Sequence, residues 1–175
     1  MMNQAEAFLN RRHEHNDKDD FRTPMYLINW MKSNFGDGLR DGACSEENKK
    51  GNPINVFGFH IIEADEWIYV NPPFDTPSII KFVEACSLIK SNDRVFLLPN
   101  KLCQKSFCLN INKHFDEIHM LGGRIDFESP YAVKGGASMN GCFLGVMRSD
   151  TKLQNERPVV YSHTLADLKE RFSNA

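Results

Sequence analysis

The sequence has 175 residues, 41% of them hydrophobic and thirteen of them phenylalanine, with a formal net charge of −2. That length suits one domain with enough apolar material for a core. No run reaches the ~18–20 consecutive apolar residues of a membrane helix, and the start, MMNQAEAFLNRRHEH, lacks the apolar stretch of a secretory signal, so a soluble, cytoplasmic chain is expected, with no membrane partner.

Residues 1–18 are polar and charged and read as a loose arm ahead of a main domain over 19–148 and a tail over 149–175. Thr23-Pro24 opens a helix carrying Leu27, Ile28 and Met31, with Thr23 suited to the N-cap and Pro24 to the first helical position. The helix should stop at Phe35-Gly36-Asp37-Gly38, and a short strand then leads into Asp41-Gly42-Ala43-Cys44-Ser45. Asn55–Ile62 has strand character, interrupted by Gly58, and Trp67–Val70 is a strand that must leave the sheet at Pro72-Pro73. Thr76-Pro77 starts a second helix with Ile80, Val83, Glu84 and Leu88 on a 3–4 spacing. Arg94–Pro99 reads as a buried strand, Leu102–Lys113 as a helix, Glu117–Leu121 and Cys142–Met147 as strands and Leu165–Phe172 as a short terminal helix. Trp30 and Trp67 read as core residues, and Gly135–Asn140 as a loop. Strands alternating with helices predict an α/β fold with a mostly parallel sheet and helices on both faces.

Ligands on such sheets sit at the carboxyl ends of the strands. Two unusual loops follow expected strands and belong on that rim: Asp41–Asn48 and Asn71–Phe74. Asn-Pro-Pro alone is an ordinary rigid turn; its position after an apolar strand, downstream of a small-residue loop, favours a site. The amino nitrogen of adenine is a poor nucleophile because its lone pair is delocalised into the ring. The Asn71 side-chain carbonyl and the Pro72 main-chain carbonyl can accept from its two N–H groups and favour a pyramidal nitrogen. Pro72 and Pro73 stiffen the loop, and Phe74 offers a face for stacking a base turned out of the duplex.

The ordered segments Asp20-Phe21-Arg22-Thr23-Pro24, Asp41–Asn48, Asn71-Pro72-Pro73-Phe74, Leu97-Leu98-Pro99 and Gly122–Phe127 resemble the phage-type DNA N6-adenine methyltransferase family. The resemblance spans about Asp19 to Met147. It implies a Rossmann-like methyltransferase fold, S-adenosylmethionine as methyl donor, DNA as partner and a bacterial or phage-infected cell as setting. It also implies a cofactor pocket lined by Phe21, Thr23 and Pro24 and a cofactor loop of Asp41, Ala43, Cys44, Ser45 and Asn48. Asn71, Pro72, Pro73 and Phe74 would hold the target base, with Lys101, Arg124 and Phe127 toward the substrate.

Two departures stand out. The loop DGACS lacks a GxG, leaving close approach to other small residues, and His60 stands where a ribose-binding carboxylate is expected, with Glu63 or Asp65 as substitutes. No metal is expected: the five cysteines are an odd number without a CxxC pair and read as reduced thiols. No GxSxG elbow or GxxxxGK[ST] loop is present.

The weak negative charge gives nucleic-acid binding no global support, so a basic face must be local, from Arg11, Arg12, Lys18, Lys49, Lys50, Lys101, Lys105 or Lys113. The lengths outside the main domain leave no room for a separate recognition domain, so a short DNA site, or recognition by loops or by a second subunit of a homodimer, is expected. RNA or a protein amide as acceptor, and a cofactor-binding module without turnover, are the competing readings.

Overall fold

The computed structural model describes residues 22–43, 52–54, 56, 63, 65–128, 141–149 and 158–173. In chain order the elements are α1 (Met25–Phe35), β1 (Gly38–Asp41), β2 (Asn52–Pro53), β3 (Glu66–Val70), α2 (Thr76–Ser87), β4 (Arg94–Pro99), α3 (Lys105–Asn110), a 3-10 turn (Asn112–His114), β5 (Glu117–Gly122), β6 (Cys142–Met147), β7 (Val159–Thr164) and α4 (Leu165–Phe172). The strands form one mixed sheet in the order β2-β1-β3-β4-β6-β5-β7. β6 runs antiparallel to both of its neighbours, and every other pairing is parallel.

Side chains alternate across a strand, so the continuous apolar runs of the central strands feed two cores at once. Trp67 and Tyr69 of β3, Val95 and Leu97 of β4, and Leu144 and Val146 of β6 join α1 and α4 on one face. Ile68 and Val70, Phe96 and Leu98, and Phe143 and Met147 meet α2, Phe107 of α3 and Phe115 on the other. Gly145 is where the second core is tightest: a Cβ there would lie 2.6–2.7 Å from the Phe115 ring. That ring is flanked by Phe96 and Phe143, so a side chain at 145 would displace the centre of an aromatic cluster.

Several expectations from the sequence need correction. Thr23 does not cap α1; Pro24 occupies the N-cap position, with no side-chain capping bond, because the buried Thr23 hydroxyl is engaged elsewhere. α2 starts at Thr76-Pro77 as expected, capped by Asp75 accepting from the Ser78 amide at 2.8 Å, but its buried face is Ile79, Val83 and Cys86. Leu88, expected on that face, is 81% exposed, so the register is one residue from the one the spacing suggested. The expected helix over Leu102–Lys113 is shorter and breaks into α3 and the 3-10 turn.

The second strand pairs with β1 through Asn52–Pro53, ahead of the expected Asn55–Ile62; within that range Val56 lies in a turn and the rest is outside the described residues. β7, which was not expected, adds to the sheet beside β5, and α4 buries Leu165 and Leu168 in the first core. Trp30 and Trp67 are core residues, as expected. Among the described residues no helix is long and apolar enough to cross a membrane, and no group of three or more metal-ligating side chains occurs.

The amino-terminal edge of the sheet is closed by charge. Arg148 bonds Asp93 at 2.7 Å and Glu117 at 2.6 Å, and the Ser149 amide donates to Asp93 at 2.8 Å. Burial raises both carboxyls, but these donors outweigh it and hold both below the usual carboxylate range. Glu117 also bonds His119 Nε2 at 3.0 Å, and His119 Nδ1 lies 3.0 Å from His163 Nε2, with Trp30 edge-on to both rings. Burial dominates for both imidazoles and lowers their pKa values.

Candidate functional site

β1 and β3 are adjacent and parallel, so the chain leaves both on the same edge of the sheet. Beyond the last paired residues, the Gly42 amide donates to the Tyr69 carbonyl at 2.8 Å, which holds the two exits side by side. From β1 the chain moves outward to β2 and then returns to the far side of β1 as β3. This reversal is a topological switch point, the place where open α/β sheets leave a crevice for ligands. The close approach at Gly42 has its own reason: a Cβ there would meet Val56, Ile68 and Val70 at 2.7–3.2 Å. The small residue lets the β1 exit lie flat on the second core.

Asp41 ends β1 and is only 4% exposed, with one carboxylate oxygen accepting from the Ala43 amide at 3.3 Å. Asn71 follows β3 directly. Its Nδ2 donates to Thr23 Oγ1 at 3.4 Å, and its Oδ1 is buried with no hydrogen-bond partner among the described residues. A buried amide oxygen without a donor is costly, and in a native fold it calls for an explanation. Pro72 is buried and Pro73 exposed, so the two rings present different faces of one stiff turn. Phe74 packs partly into the first core, edge-on to the buried Phe127 at 6.1 Å between ring centroids.

Lys101 leaves β4 on the same edge. Its ammonium donates to the Phe74 carbonyl at 3.0 Å, tying the end of the double-proline turn to the next strand. Arg124, after β5, is exposed on this edge. The segment before α1 closes the rim from the first face: Arg22 and Glu128 exchange main-chain bonds of 2.8 and 2.9 Å. That bridge brings Thr23 and Pro24 to the exit of β3.

The fold thus brings together Thr23, Pro24, Asp41, Ala43, Asn71, Pro72, Pro73, Phe74, Lys101, Arg124 and Phe127 on one edge of the sheet. Glu63 and Asp65 are not among them. Both precede β3, are exposed, and lie at its amino end near Asn92, whose side chain donates to the Glu63 carbonyl at 2.7 Å. Nearness to His60 in sequence makes them its expected substitutes, and that nearness does not carry them to the carboxyl end of a strand. Phe21, Cys44, Ser45, Asn48 and His60 lie outside the described residues.

One contributor was missed in the sequence. Tyr69 sits inside an apolar run and reads as core, yet its hydroxyl lies 2.6 Å from Thr23 Oγ1. The available signal was its position two residues before Asn71, which puts both on one face of the strand.

Comparison of the chain with protein-family models, with curated proteins and with solved structures gave no match.

Proposed function

We propose that the protein transfers a methyl group from S-adenosylmethionine to the exocyclic N6 of adenine in DNA. The observation that carries this reading is the buried Oδ1 of Asn71 at the exit of β3, which has no partner among the described residues. It is an acceptor in want of an N–H, set in a turn whose two prolines fix its backbone. The switch point between β1 and β3 supports a Rossmann-like methyltransferase fold with its ligand crevice at this edge.

The residues present suit the cofactor. A buried carboxylate at Asp41, at the exit of β1, favours a ligand that carries positive charge and hydroxyl donors. S-Adenosylmethionine supplies a methyl group that leaves sulfur without its bonding electron pair, so a new C–N bond forms as the S–C bond breaks and N6 gives up one proton to solvent.

The protein's part is to bind and orient. Asn71 Oδ1 and the Pro72 carbonyl accept from the two N6 hydrogens, which localises the nitrogen lone pair. Phe74, steadied by Phe127 from below and by Lys101 through its carbonyl, is placed to stack on the flipped base. Lys101 and Arg124 are basic side chains on this edge that DNA phosphates could meet.

Incubation with methyl-labelled cofactor and unmethylated genomic DNA, followed by digestion to nucleosides, tests the reading. Label is expected in N6-methyladenine. Label in RNA, in a protein amide or only in cytosine would overturn the assignment of the acceptor.

A further inference from the structure

We propose that Thr23 and Tyr69 are positioning residues that fix which way the Asn71 amide faces. The inference rests on the methyl-transfer reading of Asn71. An asparagine amide is nearly symmetric in shape, so half a turn about its last bond exchanges acceptor for donor. A site that must accept from an amine works in only one of those two states. Something has to choose between them.

The chosen state is set from behind. Tyr69 and Asn71 share a face of the strand, and Thr23 reaches that face because the Arg22–Glu128 bridge pins the segment before α1 across the rim. Tyr69 is 1% exposed and Thr23 2% exposed, so water does not compete for either hydroxyl. Their oxygens lie 2.6 Å apart, a short bond in which either hydroxyl can donate, and we assign the donated proton to Thr23. Thr23 then shows only lone pairs to its other neighbour. It takes the Nδ2–H of Asn71 at 3.4 Å, and Oδ1 is left facing away with no partner among the described residues. The Thr-Pro pair ahead of α1 thereby acts on the acceptor amine through Asn71, and the Tyr69 hydroxyl acts through Thr23.

The test uses the full chain with Thr23→Val, Thr23→Ser and Tyr69→Phe. Thr23→Val is expected to lower kcat by roughly 10–100-fold, the scale of a misoriented catalytic group, with the cofactor KM within about twofold of wild type. Thr23→Ser restores most of kcat, and Tyr69→Phe falls between the two. Nitrogen-labelled asparagine supplies a second readout that needs no turnover: the Asn71 side-chain amide protons, assigned by their loss in Asn71→Ala, exchange faster with solvent in Thr23→Val and stay protected in Thr23→Ser.

A raised cofactor KM with unchanged kcat in Thr23→Val would overturn the proposal and place Thr23 against the cofactor instead. Unaltered Asn71 amide exchange in Thr23→Val would overturn it as well. If Thr23→Val fails to fold, Tyr69→Phe carries the same two readouts. A wild-type protein that binds S-adenosylmethionine but methylates no acceptor would refute the reading of the site, and the amide exchange would then decide on the network alone.

Discussion

Replacing Asn71 with alanine should damage activity without damaging the fold. Asn71 Oδ1 is buried and has no donor among the described residues, and such a group costs the folded state about 1–3 kcal/mol relative to water. Truncation removes that cost. It also removes the Nδ2 bond to Thr23, which at 3.4 Å is too long to offset that gain in stability, although it is enough to bias which way the amide faces. The net expectation is a gain of about 1 kcal/mol, which for a chain of this size raises Tm by ~2–4 °C. Catalysis goes the other way: losing one preorganised polar partner of the reacting group costs about 10²–10³ in kcat. Scanning calorimetry and a steady-state assay with labelled cofactor on the same preparation measure both effects. A fall in Tm of more than ~3 °C would mean that Oδ1 has a structural partner, and the argument from an orphaned acceptor would fail. A kcat within about tenfold of wild type would refute its place in the chemistry.

Other variants probe the frame around the site. Gly145→Ala puts a Cβ 2.6–2.7 Å from the Phe115 ring, so chemical denaturation should show a loss of about 1–3 kcal/mol, as overpacked cores do. An unchanged midpoint would mean the aromatic cluster shifts freely. Lys101→Met keeps the apolar stem but releases the Phe74 carbonyl; kcat/KM for DNA should fall about tenfold, equivalent to ~1.4 kcal/mol, with Tm nearly unchanged.

The dependence of stability on pH has a definite sign. His119 and His163 have lowered pKa values when folded, so the unfolded chain takes up protons first, and stability present above about pH 6.5 is lost as pH falls through the folded values. Asp93 and Glu117, also lowered, add a second loss below about pH 4.5. Melting curves across this range check it; His163→Gln should flatten part of the upper limb alone, whereas His119→Gln also shifts the lower limb because His119 bonds Glu117.

How much of this could be read in the chain depended on the range of the interactions. Strands such as Arg94–Pro99 and Cys142–Met147 announce themselves because burial on both faces demands an unbroken apolar run. The double-proline turn is visible because two prolines cannot continue a central strand. The sequence hid features set by distant partners. β7 carries exposed Val159, Val160 and Tyr161 and shows no buried pattern, because it is held chiefly by its main-chain pairing with β5. Thr23 looks like a helix cap to any local rule, and only Tyr69, 46 residues away, makes it something else. The two candidate carboxylates for ribose failed for a similar reason, as Glu63 and Asp65 enter β3 where Asn71 leaves it.

The place of β6 in the sheet bears on how the chain is made. β4 and β5 emerge from the ribosome before the strand that lies between them, so neither can complete its ladder until Cys142–Met147 is available. Until then Val95, Phe96, Leu97 and Leu98 line an unpaired, apolar strand edge, the kind of surface that recruits other nascent chains. Synthesis that stalls before Cys142–Met147 has followed leaves that edge exposed, so a pause there does more harm than one after β6 is in place.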